Sequence, residues 1–144
     1  MTRLSALVAA VALATVASTA QAQKTGAEVY ATCSACHQAN GQGVPGAFPP
    51  LAGSEWVTGK GDVPIAIVLH GLQGPLTVKG QKYNGVMAPW GTTFNDDQIA
   101  AVVTYIRSQW GNKAPAVTKA DVARVRAATK ARKGSFTEAE LKKL

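Results

Sequence analysis

The chain has 144 residues, 47% of them hydrophobic, and a formal net charge of +7. This length allows one modest domain with attachments. Nine basic and three acidic residues lie between positions 113 and 144, whereas residues 24–112 carry five of each. We interpret this basic tail as a docking surface for an acidic partner or an anionic membrane, or as a solubilising extension. The absence of a recognition motif and of interleaved aromatic residues argues against nucleic-acid binding.

The first residues have the pattern of a secretory signal peptide. Arg3 supplies one positive charge, an apolar run extends from Leu4 to Val16, and Ala20-Gln21-Ala22 is a small-x-small cleavage site. The apolar run is shorter than the roughly 20 residues that span a bilayer, which disfavours a membrane anchor. We therefore predict a signal peptide over residues 1–22, cleavage near Ala22-Gln23, export to the bacterial periplasm, and no transmembrane span in the mature chain.

The next elements are predicted to be a helix and a long loop region. Residues 25–32 are predicted to form a short helix that leads into the two cysteines. Residues 38–84 hold five prolines and most of the glycines, a composition typical of loops. Helical pieces are predicted near residues 55–57 and 63–71, the latter with aspartate and proline at its start and glycine at its end.

The clearest predicted helix follows Asn95. Asn95 and Gln98 have capping-box spacing, and one apolar face follows, formed by Ile99, Val102, Val103 and Ile106. Two shorter capped helices are predicted after Thr118 and Thr137. We find no internal repeat and no run of alternating strand residues, so the predicted fold class is all-α. The predicted division is a domain over residues 23–112 and a basic, partly helical extension over residues 113–144.

The only cysteines stand in the sequence Cys33-Ser34-Ala35-Cys36-His37. A redox dithiol would need a preceding strand in an α/β fold, whereas a helix is predicted here. A zinc site would need four ligands, and the adjacent Cys36 and His37 are poorly placed to share one small ion. The pentapeptide C-x-x-C-H is the attachment signal for c-type haem, with thioethers from both cysteines and His37 on the iron. A cofactor would also help so small a domain to fold.

Met87 is the predicted sixth ligand of the iron. It is the only methionine after the signal peptide, and it lies between glycines in a segment predicted to be a loop. The alternative ligand is His70, which we instead expect to pack or to hydrogen-bond toward a haem propionate. Trp90, close to Met87, is predicted to line the exposed haem edge. Iron ligated by His37 and Met87 has no open position, which favours electron transfer over catalysis.

Four segments of the chain, taken in order, resemble the class I c-type cytochromes: CSACH, FPPLAG, YNGVMAPWG and DDQIAAVVTYIRSQWGN. The resemblance covers about residues 25–112 and is greatest to small bacterial periplasmic or dehydrogenase-associated members. It implies an all-α class I cytochrome c fold, with N- and C-terminal helices packed around one covalently attached haem c.

The resemblance also implies roles for individual residues. Gly26, Tyr30 and Tyr105 correspond to the residues where the N- and C-terminal helices cross. Pro49 corresponds to the proline whose carbonyl group accepts the proton of the axial histidine. Leu51 corresponds to a residue that packs on the haem.

The implied function is transfer of single electrons between redox partners in the periplasm, by a protein that is not itself an enzyme. It would act as a soluble, monomeric carrier or as the cytochrome subunit of a dehydrogenase or oxidoreductase complex. A second hypothesis is a gas sensor or a peroxidase-like catalyst, which would require Met87 to leave the iron. A third is that the basic tail docks the domain onto an acidic surface in a larger complex.

Overall fold

The computed structural model describes residues 23–144, so the predicted signal peptide, residues 1–22, lies outside the described residues. The described elements, in chain order, are α1 (Gly26–His37), α2 (Glu55–Thr58), α3 (Asp62–His70), β1 (Leu72–Val78), β2 (Gln81–Met87), α4 (Asp96–Ser108), α5 (Lys119–Ala128) and α6 (Glu138–Leu141). Within residues 23–144, no helix combines the length and the hydropathy that crossing a membrane requires.

The fold is mainly helical, as predicted, but a β-hairpin adds a small two-stranded sheet that the all-α prediction did not include. β1 and β2 pair antiparallel, with Leu72 opposite Met87 at the open end and Val78 opposite Gln81 at the turn. The turn residues Lys79 and Gly80 have φ of 49° and 76°, the two positive values that a type I′ turn requires. The two-residue loop therefore sets a register that places Met87 at the end of a strand rather than in a loop.

The strand pattern escaped sequence analysis because residues that disfavour strands interrupt it. Pro75 and Gly74 lie within β1, and Gly85 lies within β2. The buried residues of β1 nevertheless fall at alternating positions and share one face: Leu72, Leu76 and Val78.

Helices α1 and α4 cross in close contact, as the family resemblance implies. Both begin with a capping box, formed by Thr25 and Glu28 in α1 and by Asn95 and Gln98 in α4. At the crossing Gly26 has no room for a side chain, since a Cβ there would lie 2.4 Å from the Ala101 carbonyl oxygen and 2.6 Å from Tyr105 Cβ. The Tyr30 and Tyr105 ring centroids are 5.4 Å apart.

The C-terminal tail packs onto the rest of the chain. Helix α5 lies against α3 and α4, and α6 lies against β1. Four tail side chains belong to the common apolar core: Val122, Val125, Phe136 and Leu141. Both α5 and α6 begin at the predicted capping boxes of Thr118 and Thr137. The basic extension is therefore packed against the core through apolar side chains, in addition to carrying a charged surface.

Arg107 links three segments from inside the protein. Its side chain is 3% exposed, and it donates hydrogen bonds to the carbonyl oxygens of Val57 at 2.5 Å, Gly59 at 3.0 Å and Pro115 at 2.8 Å. A buried guanidinium is tolerated only when its N–H groups are satisfied. Arg107 thus fixes the end of α2 and the start of the tail to α4.

We expect Gly26→Ala to lower the free energy of unfolding by about 1–3 kcal/mol, because the new Cβ would push against the Ala101 carbonyl group. Denaturant unfolding of the haem-loaded protein measures the loss. Gly134→Ala is the matched control, since no atom lies within 4 Å of a Cβ built there. An equal free energy of unfolding for the two variants would contradict this prediction, because it would mean that α1 and α4 can move apart to accommodate the new methyl group without loss of stability.

Candidate haem-binding site

The last turns of α1 carry the C-x-x-C-H motif. Residues three or four positions apart are neighbours on a helix surface, so Cys33 lies next to both Cys36 and His37. All three side chains line one cavity, and both thiols are free. Burial raises the pKa of Cys33 to about 11, whereas a redox-active dithiol needs a lowered pKa. The motif therefore presents two thiols and an imidazole to the same space.

His37 is oriented by the Pro49 carbonyl group. His37 is 8% exposed, and its Nδ1 lies 2.9 Å from the Pro49 oxygen. A carbonyl oxygen can only accept, so Nδ1 carries the proton and Nε2 keeps its lone pair for a metal. Burial also lowers the pKa of His37, which favours the neutral ring that a metal ligand requires.

The loop after α1 is folded tightly so that Pro49 reaches His37. The Gly43 amide donates to the His37 carbonyl oxygen at 2.9 Å, and Gly41 accepts from the amides of Leu51 and Ala52. Gly43 has a φ of 64°, and a Cβ there would lie 2.2 Å from the Phe48 oxygen. Only glycine combines that backbone conformation with so close an approach.

Two adjoining cavities lie beyond the motif, and they share six lining residues: Cys33, His37, Pro49, Leu72, Leu76 and Met87. The inner cavity is otherwise lined mainly by apolar side chains of α2, α3, β1 and α4, namely Trp56, Val57, Pro64, Ile67, Val68, Val78, Val102 and Ile106. The outer cavity opens between the 47–49 loop and the hairpin. None of the described residues that line it is a lysine, arginine, aspartate or glutamate.

The structure brings the other predicted site residues to these cavities. Met87, half-buried at the end of β2, lines both. Leu51 lines the inner cavity, and Trp90 lines the outer one. Trp90 also stacks on Phe94, with ring centroids 5.5 Å apart and planes inclined by 17°, so its indole is held in place at the cavity mouth.

His70 points toward the tail. Its Nε2 lies 2.7 Å from the Thr129 hydroxyl oxygen, and its ring meets Phe136 edge-on. His70 is not among the described residues that line either cavity. In the structure, Nε2 of His70 is therefore engaged by Thr129, the residue that follows α5.

The hairpin contributes part of the cavity wall, which the sequence pattern did not predict. Leu72 and Leu76 line both cavities and Tyr83 lines the outer one. Trp56 joins the same wall through its indole N–H, which donates to the Thr77 carbonyl oxygen at 2.7 Å. The alternation of apolar residues in β1 is the signal that could have revealed this wall.

The residues present fit a covalently attached haem. Two neighbouring thiols, an imidazole with a free Nε2 and a thioether line one apolar space, as thioether linkage and axial ligation of a flat macrocycle require. The zinc interpretation is not supported, since within residues 23–144 no three His, Cys, Asp or Glu side chains are grouped so as to hold a metal ion.

Comparison with known proteins gives the same result. The protein-family model described as Cytochrome c matches residues 23–110. Cytochrome c-552 of Thermus thermophilus is 50% identical over 97 residues, which are 65% of this chain and 65% of that protein. The matched region therefore spans just under two thirds of that relative.

Two further relatives are subunits of larger assemblies. The cytochrome c subunit of a quinone alcohol dehydrogenase from Gluconacetobacter polyoxogenes is 39% identical over 105 residues, 70% of this chain and 22% of that subunit. The gluconate 2-dehydrogenase cytochrome c subunit of Pantoea cypripedii is 40% identical over 110 residues, 72% of this chain and 24% of that subunit. The family model covers more than half of the chain and includes the C-x-x-C-H motif; this chain belongs to the cytochrome c family, whose members bind haem c covalently.

Proposed function

We propose that this protein transfers single electrons between redox partners and is not itself an enzyme. The observation that carries the proposal is that His37 and Met87, the two candidate axial ligands, line the same apolar cavity as the thiols of the motif. Haem c, when bound, supplies reversible one-electron chemistry at its iron. His37 and Met87 would together hold the iron and would leave no place on it for a substrate, which suits a carrier.

The protein residues tune this centre in a way that favours the reduced state. Pro49 holds His37 in one tautomer and one orientation. The thioether of Met87 would be a soft, weak ligand, which would raise the reduction potential relative to a second histidine. The apolar walls exclude water and disfavour the extra positive charge of the oxidised iron. These three features support a centre of relatively high potential that changes little in shape.

The exchange of electrons is proposed to occur at the outer cavity. Its rim includes Phe48, which is 38% exposed, and Val86, which is 77% exposed, together with Trp90. A redox partner that approaches this rim would come closest to the haem edge. Trp90 is fixed by its stacking on Phe94, and its position at the rim supports electron exchange between the partner and the haem there.

We further propose one haem per chain, because the sequence has only two cysteines. The signal-like residues 1–22 support export to the periplasm. The proposed organisation is a haem domain over residues 23–112 with a tail over residues 113–144, in a monomer. The similarity to cytochrome c subunits of alcohol and gluconate dehydrogenases supports a dehydrogenase or another oxidoreductase complex as a partner, whether the chain is a free carrier or a subunit.

Attachment of one haem through both cysteines is tested by mass spectrometry of the purified, exported protein under denaturing conditions. We expect the wild-type mass to include a single haem held by two thioethers, and Cys33→Ser and Cys36→Ser each to form at most one thioether. The double variant, which keeps neither thiol, should lose its haem on acid extraction. Ser34→Ala, between the cysteines, is the control and should keep the haem. A second haem, or none, in the wild type would contradict the proposal.

Met87→Ala is expected to abolish the weak far-red absorption band of methionine-ligated ferric haem and to let the reduced protein bind CO at neutral pH. Both changes follow from an open sixth position. Val86→Ala is the matched control, because Val86 is the adjacent residue and is 77% exposed. If the wild type itself lacks the band and binds CO, the sensor or catalyst hypothesis replaces the carrier.

Docking of an acidic partner on the tail is tested by removing lysines that have no carboxylate partner among residues 23–144. Five of the nine basic tail residues form ion pairs within the described chain: Lys119, Arg124, Arg126, Arg132 and Lys142. Lys130 and Lys133 are exposed and outside these pairs. If the tail docks the partner, Lys130→Gln with Lys133→Gln should slow electron transfer about tenfold at low salt, an effect that added salt removes.

The control for this measurement is the same change of charge outside the tail, Lys24→Gln with Lys60→Gln. Equal slowing by both pairs would indicate a general effect of net charge, and no slowing by either pair would move the docking site away from the tail.

A further inference from the structure

The tail adds a third strand-like segment to the hairpin. The Phe136 amide donates to the Gly71 carbonyl oxygen at 3.0 Å, and the Phe136 carbonyl oxygen accepts from the Gln73 amide at 2.9 Å. These two bonds make a parallel bridge between Phe136 and Leu72. The outer edge of β1 is therefore covered by the tail at the end where β1 begins.

Leu72 connects this bridge to the proposed axial ligand. On one side it pairs with Phe136, and on the other it lies opposite Met87 in the hairpin register. The Leu72 side chain lines both haem cavities. A single residue of β1 thus separates the tail from the strand end that carries Met87.

The backbone at Gly71, where the tail meets the open end of the hairpin, is tightly packed. Its φ is 77°, and a Cβ built there would lie 2.3 Å from the Met87 carbonyl oxygen and 3.0 Å from Ser135 Oγ. The backbone of Met87 and the side chain of a tail residue therefore approach the same point from two directions. A displacement of the tail at Ser135 or Phe136 would loosen the packing around Gly71, which lies between the tail and the Met87 backbone.

The Phe136 side chain is buried and packs against the His70 ring and the Arg132 guanidinium. It is 4% exposed; the His70 ring meets it edge-on at 5.7 Å, and the Arg132 guanidinium lies 3.7 Å from its centroid. Arg132 also donates to the carbonyl oxygens of Gly134 and Ser135 and to the Glu140 carboxylate. Arg132 therefore fixes the turn that delivers Phe136 to β1.

A second contact fastens the tail farther along β1. The Glu138 carboxylate accepts a hydrogen bond from the Thr77 amide at 2.8 Å, and Leu141, which follows in α6, is 1% exposed. The tail therefore follows β1 from Leu72 to Thr77.

We infer that the segment Ser135–Thr137 is a positioning element for Met87, with Phe136 as its central residue; this inference rests on the proposed role of Met87 as an axial ligand. A two-stranded hairpin is marginally stable by itself, and strand ends open more easily than the core. Met87 lies at such an end. Pairing and packing of β1 with the tail suppress the open form in which the thioether has left the iron.

The test is the binding of imidazole to the ferric, haem-loaded full-length protein, because imidazole takes the sixth position only when Met87 leaves. Phe136→Ala removes the ring but keeps the backbone donor and acceptor, and we expect it to strengthen imidazole binding about tenfold or more. Phe136→Leu, which retains most of the buried volume, should have a smaller effect and covers the case in which the alanine variant fails to fold.

Val122→Ala is the matched control, because Val122 is another fully buried tail residue that lies in α5, outside the β1 edge. It should lower stability against denaturant without strengthening imidazole binding. Amide hydrogen exchange is the second readout, and only the Phe136 variants should accelerate exchange in β1 and β2.

The outcomes separate this inference from the proposed function. A wild-type spectrum without a Met87-dependent far-red band would overturn the proposed ligation and this inference with it. A wild-type band together with unchanged imidazole binding in both Phe136 variants would overturn the inference alone. The same holds if Val122→Ala strengthens binding as much as Phe136→Ala does, since the effect would then follow from general destabilisation.

Discussion

The hydrogen bond from His37 Nδ1 to the Pro49 carbonyl oxygen is the constraint on which the site depends. It gives a titratable ring a single tautomer and leaves Nε2 as the only nitrogen that can face a metal. The bond requires the chain to turn back at once after α1, which Gly43 permits through its positive φ and its close approach to Phe48. The same turn carries Pro49 and Leu51 into the cavity wall. The glycine-rich loop is thus a precondition for the imidazole to act as a ligand.

A chain of this size has little apolar material with which to surround a large cavity, and the tail supplies part of what is needed. Its ion pairs with α3 and α4 are largely exposed, and such pairs contribute little to stability because solvent screens them. Burial of four apolar tail side chains is the stronger attachment: Val122, Val125, Phe136 and Leu141. A few apolar residues, rather than the positive charge of the tail, therefore account for its place in the fold.

Local signals predicted local features of this protein. The capping box at Asn95 and the apolar face of α4 each depend on residues within a few positions of one another, and the structure confirms both. The C-x-x-C-H motif is equally local, but α1 extends through it to His37, beyond the helix predicted over residues 25–32. The hairpin depends on pairing between two segments, and Pro75 with its neighbouring glycines hides the alternation that would reveal it. The packing of Phe136 on Leu72 joins residues 64 positions apart, and no short sequence pattern encodes such a contact. The placement of Met87 at a strand end was missed for the same reason.

The second histidine shows how the fold distinguishes between two chemically identical side chains. The Thr129 hydroxyl group has one proton, and it lies 2.7 Å from the Val125 carbonyl oxygen as well as 2.7 Å from His70 Nε2. When the hydroxyl donates to Val125, it must accept from Nε2–H, which leaves His70 without a lone pair on that nitrogen. His37 has the opposite arrangement, with the proton on Nδ1 and Nε2 left free. Each neutral ring thus keeps one lone pair, on Nε2 in His37 and on Nδ1 in His70, but of the two only His37 is among the described residues that line the cavities. The difference between the two rings therefore comes from where the fold places them.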